Sequence, residues 1–111
     1  MVERGDIVLV SLSGDYAKPR PALVVQSNST LAVTGSVTFC LITSDLVPNS
    51  RLRVDVALDG SNGLRLASQI QTDKIYTLPA GKLRGPIGRI DKTTLSRIDL
   101  ALALHLDLIA P

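Results

Sequence analysis

The chain has 111 residues, with 12 Lys and Arg against 10 Asp and Glu and a formal net charge of +2. That is one domain's length, and Val, Leu and Ile together supply 36 residues, enough for a buried core and too many for a disordered chain. No apolar run reaches the roughly 18 residues of a membrane helix. The charged start, Met1-Val2-Glu3-Arg4-Gly5-Asp6, is unlike a secretory leader. The single cysteine, Cys40, excludes an intramolecular disulfide and every multi-cysteine zinc site, so a reducing cytoplasm is the expected location.

The elements follow from turn chemistry and periodicity. Residues Ile7 to Leu12 (IVLVSL) form an apolar run opened by Gly5-Asp6 and closed by Ser13-Gly14-Asp15, which predicts a first strand. A second strand runs from Pro21 to Gln26 (PALVVQ), entered through Pro19-Arg20-Pro21, where no ladder donor is required. Ser36 to Thr43 (SVTFCLIT) is a third strand. Arg51 to Leu58 (RLRVDVAL) alternates with the period of a half-buried strand. The turn Asp59-Gly60-Ser61-Asn62-Gly63 predicts Leu64 to Thr72 as its hairpin partner, and Asp73 to Leu78 reads as another short strand. Gly81 to Gly88 reads as a loop or edge hairpin.

The tail is different. Asp91 is placed to cap a helix rich in Leu and Ala, both good helix formers. Leu95, Ile98, Leu102, Leu106 and Ile109 fall on one helical face, and Leu100, Leu104 and Leu108 on roughly the opposite one. Two apolar stripes imply either deep burial or contact with a partner. Short strands followed by one helix indicate a single domain over residues 1–111: a small, strongly bent sheet or barrel with a helix packed on it.

Common catalytic chemistry is missing. His105 is the only histidine and Cys40 the only cysteine, so no transition-metal site is expected. There is no nucleophile elbow, no P-loop and no dinucleotide-binding glycine motif. Cys40, within TFCLI, reads as a small buried hydrophobe, and His105 as a last-turn helix residue. The first ninety residues carry 10 basic and 7 acidic groups, which places any anion-binding face there. Within them Arg20, flanked by Pro19 and Pro21, emerges from a rigid backbone, and its planar guanidinium matches phosphate geometry. The preceding polar stretch from Ser11 to Lys18 suits a lid. Thr43-Ser44-Asp45 sets two hydroxyls where a strand meets a loop, and Asp73-Lys74 offers a carboxylate for base chemistry or for a strand-end ion pair.

The order of these blocks resembles the MazF/PemK family of toxin endoribonucleases. Arg4 to Val10 and Arg20-Pro21-Ala22-Leu23-Val24-Val25-Gln26-Ser27 resemble its first strand and its Arg-Pro-hydrophobic strand. Leu41-Ile42-Thr43-Ser44 looks like its third-strand end, and Ile87 to Asp91 with the Leu-rich tail like its Gly-Arg-Leu segment and terminal helix. Ser68 to Leu83 can be laid on its Asp-Gln-Ile-Arg-Thr region, with Asp73 in the aspartate position, Lys74 for Gln and Tyr76 for Arg. Gln71 falls where some members have a second catalytic arginine.

The resemblance implies a mainly β fold, an SH3-like barrel of the CcdB/PemK kind with a C-terminal helix, usually homodimeric. It implies a type II toxin that cleaves single-stranded mRNA without a metal or other cofactor, is silenced by a cognate antitoxin, and does not engage a membrane. By the same resemblance Arg20, Thr43 and Asp73 are the expected catalytic residues, and Tyr16, Lys18, Ser44, Lys74 and Tyr76 the expected RNA contacts. The competing readings are a non-catalytic nucleic-acid-binding barrel and a gyrase-targeting toxin like CcdB.

Overall fold

The structure is a computed structural model that describes residues 1–12 and 18–110. Its elements are β1 (Asp6–Val10), β2 (Arg20–Val24), α1 (Asn28–Thr34), β3 (Ser36–Thr43), β4 (Arg53–Val56), β5 (Ser68–Pro79), a 3-10 turn (Ala80–Lys82), β6 (Arg84–Arg89) and α2 (Lys92–His105). The strands form one six-stranded sheet in the order β4-β5-β3-β2-β1-β6, antiparallel at every pairing. The sheet is curled into a half-barrel with α2 laid against β4 and β5.

Alternation along the central strands explains their sequence. Ile7, Leu23, Cys40, Ile42 and Ile70 point to the face that α2 covers with Ile98 and Ala101. Val8, Val10, Ala22, Val24, Val37 and Phe39 point to the other face, where Leu31 of α1, Val2 and Leu83 close over them. A strand buried on both faces needs no polar alternation, which is why Ile7 to Val10, Ala22 to Val24 and Phe39 to Ile42 read as unbroken apolar runs. β4 is an edge strand: Val54 and Val56 face inward, Arg53 and Asp55 outward.

Four features differ from the sequence expectations. The two strands expected at 64–72 and 73–78 are one long bent strand, β5, which pairs with β3 along most of its length. β5 does return beside β4 as the expected hairpin partner, with Val56 level with Ser68, but the connection is a long loop over 57–67 that reaches the opposite edge of the sheet, where Ser61 O accepts the Arg89 N–H at 3.0 Å. Helix α1 was not anticipated. Ser27 caps it by accepting the Thr30 N–H, and Gly35, at φ 68°, ends it. Gly81 to Gly88 is mostly strand β6 rather than loop.

Helix α2 stands where expected, although the Asp91 side chain makes no capping bond. Leu95, Ile98 and Leu102 pack inward as expected, whereas Leu106 and Ile109 lie beyond the helix end. Leu100 and Leu108, on the second stripe, are 55% and 71% exposed, so deep burial is not the reason for that stripe. Ion pairs tie the N-terminus to the tail. Arg89 donates to the buried Asp6 carboxylate at 2.6 Å, and Arg4 pairs with Asp99 of α2. Asp6 of the Gly-Asp start is therefore a structural carboxylate.

Candidate active site

Arg20 opens β2, and Thr43 ends β3. The β2–β3 register pairs Ala22 with Leu41, and its continuation by two residues brings Arg20 level with Thr43. Both line a cleft of about 280 Å³ together with Leu12, Leu41, Ile42, Gln71 and Tyr76. Arg20 is exposed at the entrance to its strand, as the flanking prolines require. The Thr43 hydroxyl oxygen accepts the Asp45 N–H at 3.0 Å, which turns the chain sharply out of β3 and leaves the hydroxyl hydrogen available to donate. Tyr76, 40% exposed, lies against the fully buried ring of Phe39 with centroids 6.3 Å apart and planes 20° from parallel. One side of its ring is thus held by the core, and the other part reaches the cleft.

A wide bulge in β5 shapes this wall. Ile70 faces Ile42, but Ile75 faces Cys40, so five residues of β5 span what two residues of β3 span. The slack re-aims the side chains between them. Gln71 and Tyr76 reach the cleft, and Asp73 does not line it. Asp73 stands beside Lys74 at 3.8 Å, in a partly exposed pair worth little to stability. Its charge is felt instead at Cys40, whose thiol is pushed up to about 12, first by burial and then by Asp73.

The expected residues therefore divide. Arg20, Thr43 and Tyr76 converge on one cleft. Lys18 is exposed two residues before Arg20, Ser44 is exposed just after Thr43, and neither Asp73 nor Lys74 lines the cleft. Tyr16 lies outside the described residues. The strand pairing also bears on the Asp-Gln-Ile-Arg-Thr pattern. Laid on Ser68-Gln69-Ile70-Gln71-Thr72 it matches at Gln69, Ile70 and Thr72, as many positions as on Asp73 to Thr77. Gln69 is the residue opposite Thr43, so the geometry favours the earlier frame. Sequence reasoning passed over Gln69, and that second frame was the signal for it. In either frame the arginine's place is taken by an uncharged side chain, Gln71 or Tyr76. Among the described residues, Arg20 is the cation of the cleft lining, and no group of three or more His, Cys, Asp or Glu gathers to hold a metal. Among the described residues no helix is long and apolar enough to cross a membrane.

A curled antiparallel half-barrel with a C-terminal helix, and an arginine set level with a strand-end threonine, define a protein of the CcdB/PemK fold class. The sequence profile described as PemK-like, MazF-like toxin of type II toxin–antitoxin systems matches residues 3–106, and the chain belongs to that family. It is 33% identical over 106 residues to the probable endoribonuclease MazF of Mycolicibacterium smegmatis, covering 95% of this chain and 96% of that protein. Among solved structures, a mycobacterial endoribonuclease in complex with its cognate antitoxin is similar at a TM-score of 0.82 and 25% identity, over all of both chains. The Mycobacterium tuberculosis toxin MazF-mt6 is similar at a TM-score of 0.79 and 26% identity, over 95% of this chain and 99% of that one.

Proposed function

We propose that this chain is the endoribonuclease toxin of a type II toxin–antitoxin pair and that it cleaves single-stranded RNA in the Arg20–Thr43 cleft. The observation that carries this reading is the pairing of a permanently charged guanidinium with a strand-end hydroxyl across one β2–β3 register, in a chain of this family.

The chemistry uses what RNA brings. The 2′-hydroxyl gives its proton to a solvent water, its oxygen bonds to the adjacent phosphorus, the bond from phosphorus to the 5′ oxygen breaks, and that departing oxygen takes a proton from solvent. The products are a 2′,3′-cyclic phosphate and a 5′-hydroxyl. The nucleophile belongs to the substrate, so the reaction requires no metal-activated water. Arg20 donates hydrogen bonds to the nonbridging oxygens, where negative charge accumulates, and keeps its own charge throughout. Thr43 holds the phosphate through its hydroxyl hydrogen. Fixed donors of this kind stabilise the transition state more than the ground state, and losing one typically costs a hundredfold or more, on the order of 3 kcal/mol. Asp73 is given no step, since it does not line the cleft. Tyr76 offers its ring face to a base, and Lys18 and Ser44, adjoining Arg20 and Thr43 in the chain, are assigned to the passing RNA backbone.

We assign to this chain two further properties: assembly as a homodimer, and inhibition by a cognate antitoxin whose extended segment lies across the same cleft. A similar solved structure is an endoribonuclease in complex with its cognate antitoxin, and a cleft that sets Leu12, Leu41 and Ile42 beside Arg20 suits an extended peptide. The test is to incubate a long single-stranded RNA with the protein in EDTA and map the ends. Cleavage to 5′-hydroxyl ends, blocked by a 2′-deoxy substitution at the cut site and reduced at least about a hundredfold in Arg20→Ala, is expected. Intact RNA at micromolar protein, or full activity in Arg20→Ala, refutes the reading. Because no carboxylate or imidazole lines the cleft among the described residues, salt-sensitive RNA binding without cut ends is the one result that points instead to a binding barrel.

A further inference from the structure

Thr43 ends a strand, and a terminal side chain is only as well directed as the loop that follows it. That loop, residues 44–52, is largely exposed. Its anchor is Gln69 of β5, the residue opposite Thr43, which is 5% exposed. The Gln69 amide oxygen accepts the Val47 N–H at 3.0 Å and Arg53 Nη1 at 3.0 Å. Its amide nitrogen donates to Val47 O at 3.0 Å and to Asp55 Oδ1 at 2.8 Å. A primary amide has two N–H groups and two lone pairs, so its full capacity is used. Turning the amide over would set donors against donors and acceptors against acceptors at these partners, so its orientation is unambiguous.

The same arrangement reaches the cleft. Arg53 Nη1 also donates to Asp45 O at 2.7 Å, and the Asp45 N–H donates to Thr43 Oγ1 at 3.0 Å. A continuous run of hydrogen bonds thus links Gln69, Arg53, Asp45 and Thr43. We propose that Gln69 is a positioning residue, which holds the 44–52 loop through Val47 and, by way of Arg53 and Asp45, directs the Thr43 hydroxyl into the cleft. The proposal rests on the reading of that cleft as the site of RNA cleavage. Gln69 itself does not line the cleft. Asparagine is too short to span the same partners, and glutamate has no N–H for Val47 O or Asp55, so glutamine is the side chain that meets all four.

The experiment has an arm without RNA and an arm with it. In the first, amide hydrogen exchange is compared in the wild type, Gln69→Met and Arg53→Met. Gln69→Met is expected to speed exchange at both Val47 and Asp45 by about fivefold or more, because local opening follows the loss of local bonds. Arg53→Met, which leaves the Gln69–Val47 clasp, is expected to speed Asp45 alone. Acceleration at Val47 with Asp45 unchanged in Gln69→Met overturns the coupling. If that variant does not fold, an unchanged Asp45 in Arg53→Met overturns it.

In the second arm, Gln69→Met lowers the single-turnover cleavage rate about tenfold, with binding of a 2′-deoxy RNA within twofold of wild type, and has no additional effect in a Thr43→Ala background. Groups that act as one unit show this non-additivity. A full tenfold loss persisting in Thr43→Ala overturns the positioning role. A wild-type protein that cleaves no RNA refutes the functional reading, and the exchange arm still decides the role of Gln69.

Discussion

Replacing Gly88 by alanine tests how the sheet closes. Gly88 of β6 has no positive φ, so its backbone accepts any residue. What excludes a side chain is the 57–67 loop. A Cβ at Gly88 would stand 2.2 Å from the backbone carbon of Asn62 and 2.5 Å from the carbonyl oxygens of Ser61 and Asn62. These are backbone atoms and cannot rotate aside. The loop must withdraw, breaking the bond from the Arg89 N–H to Ser61 O, worth about 1 kcal/mol. Strain and lost packing at Ile87 add about 2 kcal/mol. Reduced entropy of the unfolded chain returns about 0.5–1 kcal/mol, which leaves about 2 kcal/mol of destabilisation. With an unfolding entropy of about 2.1 cal/mol/K per residue, the melting temperature falls by about 8 °C. Circular dichroism melts measure it, and hydrogen exchange at the Arg89 amide reports the loop directly. Gly81→Ala is the control, since nothing stands within 4 Å of its Cβ position. A melting temperature within about 2 °C of wild type for Gly88→Ala, with Arg89 still protected, would refute the argument.

Three further outcomes follow from the same structure. Tyr76→Ala should weaken single-stranded RNA binding by about 5- to 150-fold, the loss of one base stack, and Tyr76→Phe should retain most of it; filter binding decides. The Cys40 thiol, at about 12, should resist iodoacetamide at pH 8 until the protein unfolds. Because its proton is held more tightly when folded, its contribution to stability is complete below the unfolded value of about 8.5 and is lost as pH rises toward 12, and denaturant titrations across that range would show it. Asp59 has the opposite sign. Hydrogen bonds from Ser61 hold its carboxyl below the usual range, so its support of the 57–67 loop is present at neutral pH and is lost in acid. Faster exchange at the Ser61 and Asn62 amides below the carboxylate range is the expected sign, and exchange independent of pH there would count against it.

Much of the fold was readable because its signals are local. Doubly buried strands announce themselves as apolar runs, as in Ile7 to Val10 and Phe39 to Ile42, whatever their partners. The edge strand β4 shows its alternation in Arg53-Val54-Asp55-Val56, and α2 its leucine and alanine content. Arg20 stood out because two prolines enclose it, which is again a property of neighbouring residues. The misreadings arose where a distant contact outweighs the local cue. Gly60 to Gly63 does lie between the hairpin partners β4 and β5, yet nothing local shows that Gly63 packs against Ile87 across the sheet. The place of Asp73 is not local either: a five-residue pattern can be laid on β5 in two frames of equal quality, and only the pairing with β3 sets Gln69 opposite Thr43.

The sequence by itself determined the apolar strands β1 to β3, the alternating edge strand β4 and the C-terminal helix, that Cys40 is buried, and that a guanidinium emerges from a rigid entrance to β2. These depend on side-chain size, periodicity and backbone restriction over a few residues. Only the tertiary structure decided that Arg20 stands level with Thr43, that the β5 bulge turns Gln71 and Tyr76 toward the cleft and leaves Asp73 outside its lining, and that Gln69 gathers the loop behind Thr43. Strand register joins residues far apart in the chain, and a shift of one residue reverses which face each side chain serves, so the composition of the site is settled by pairing and not by pattern.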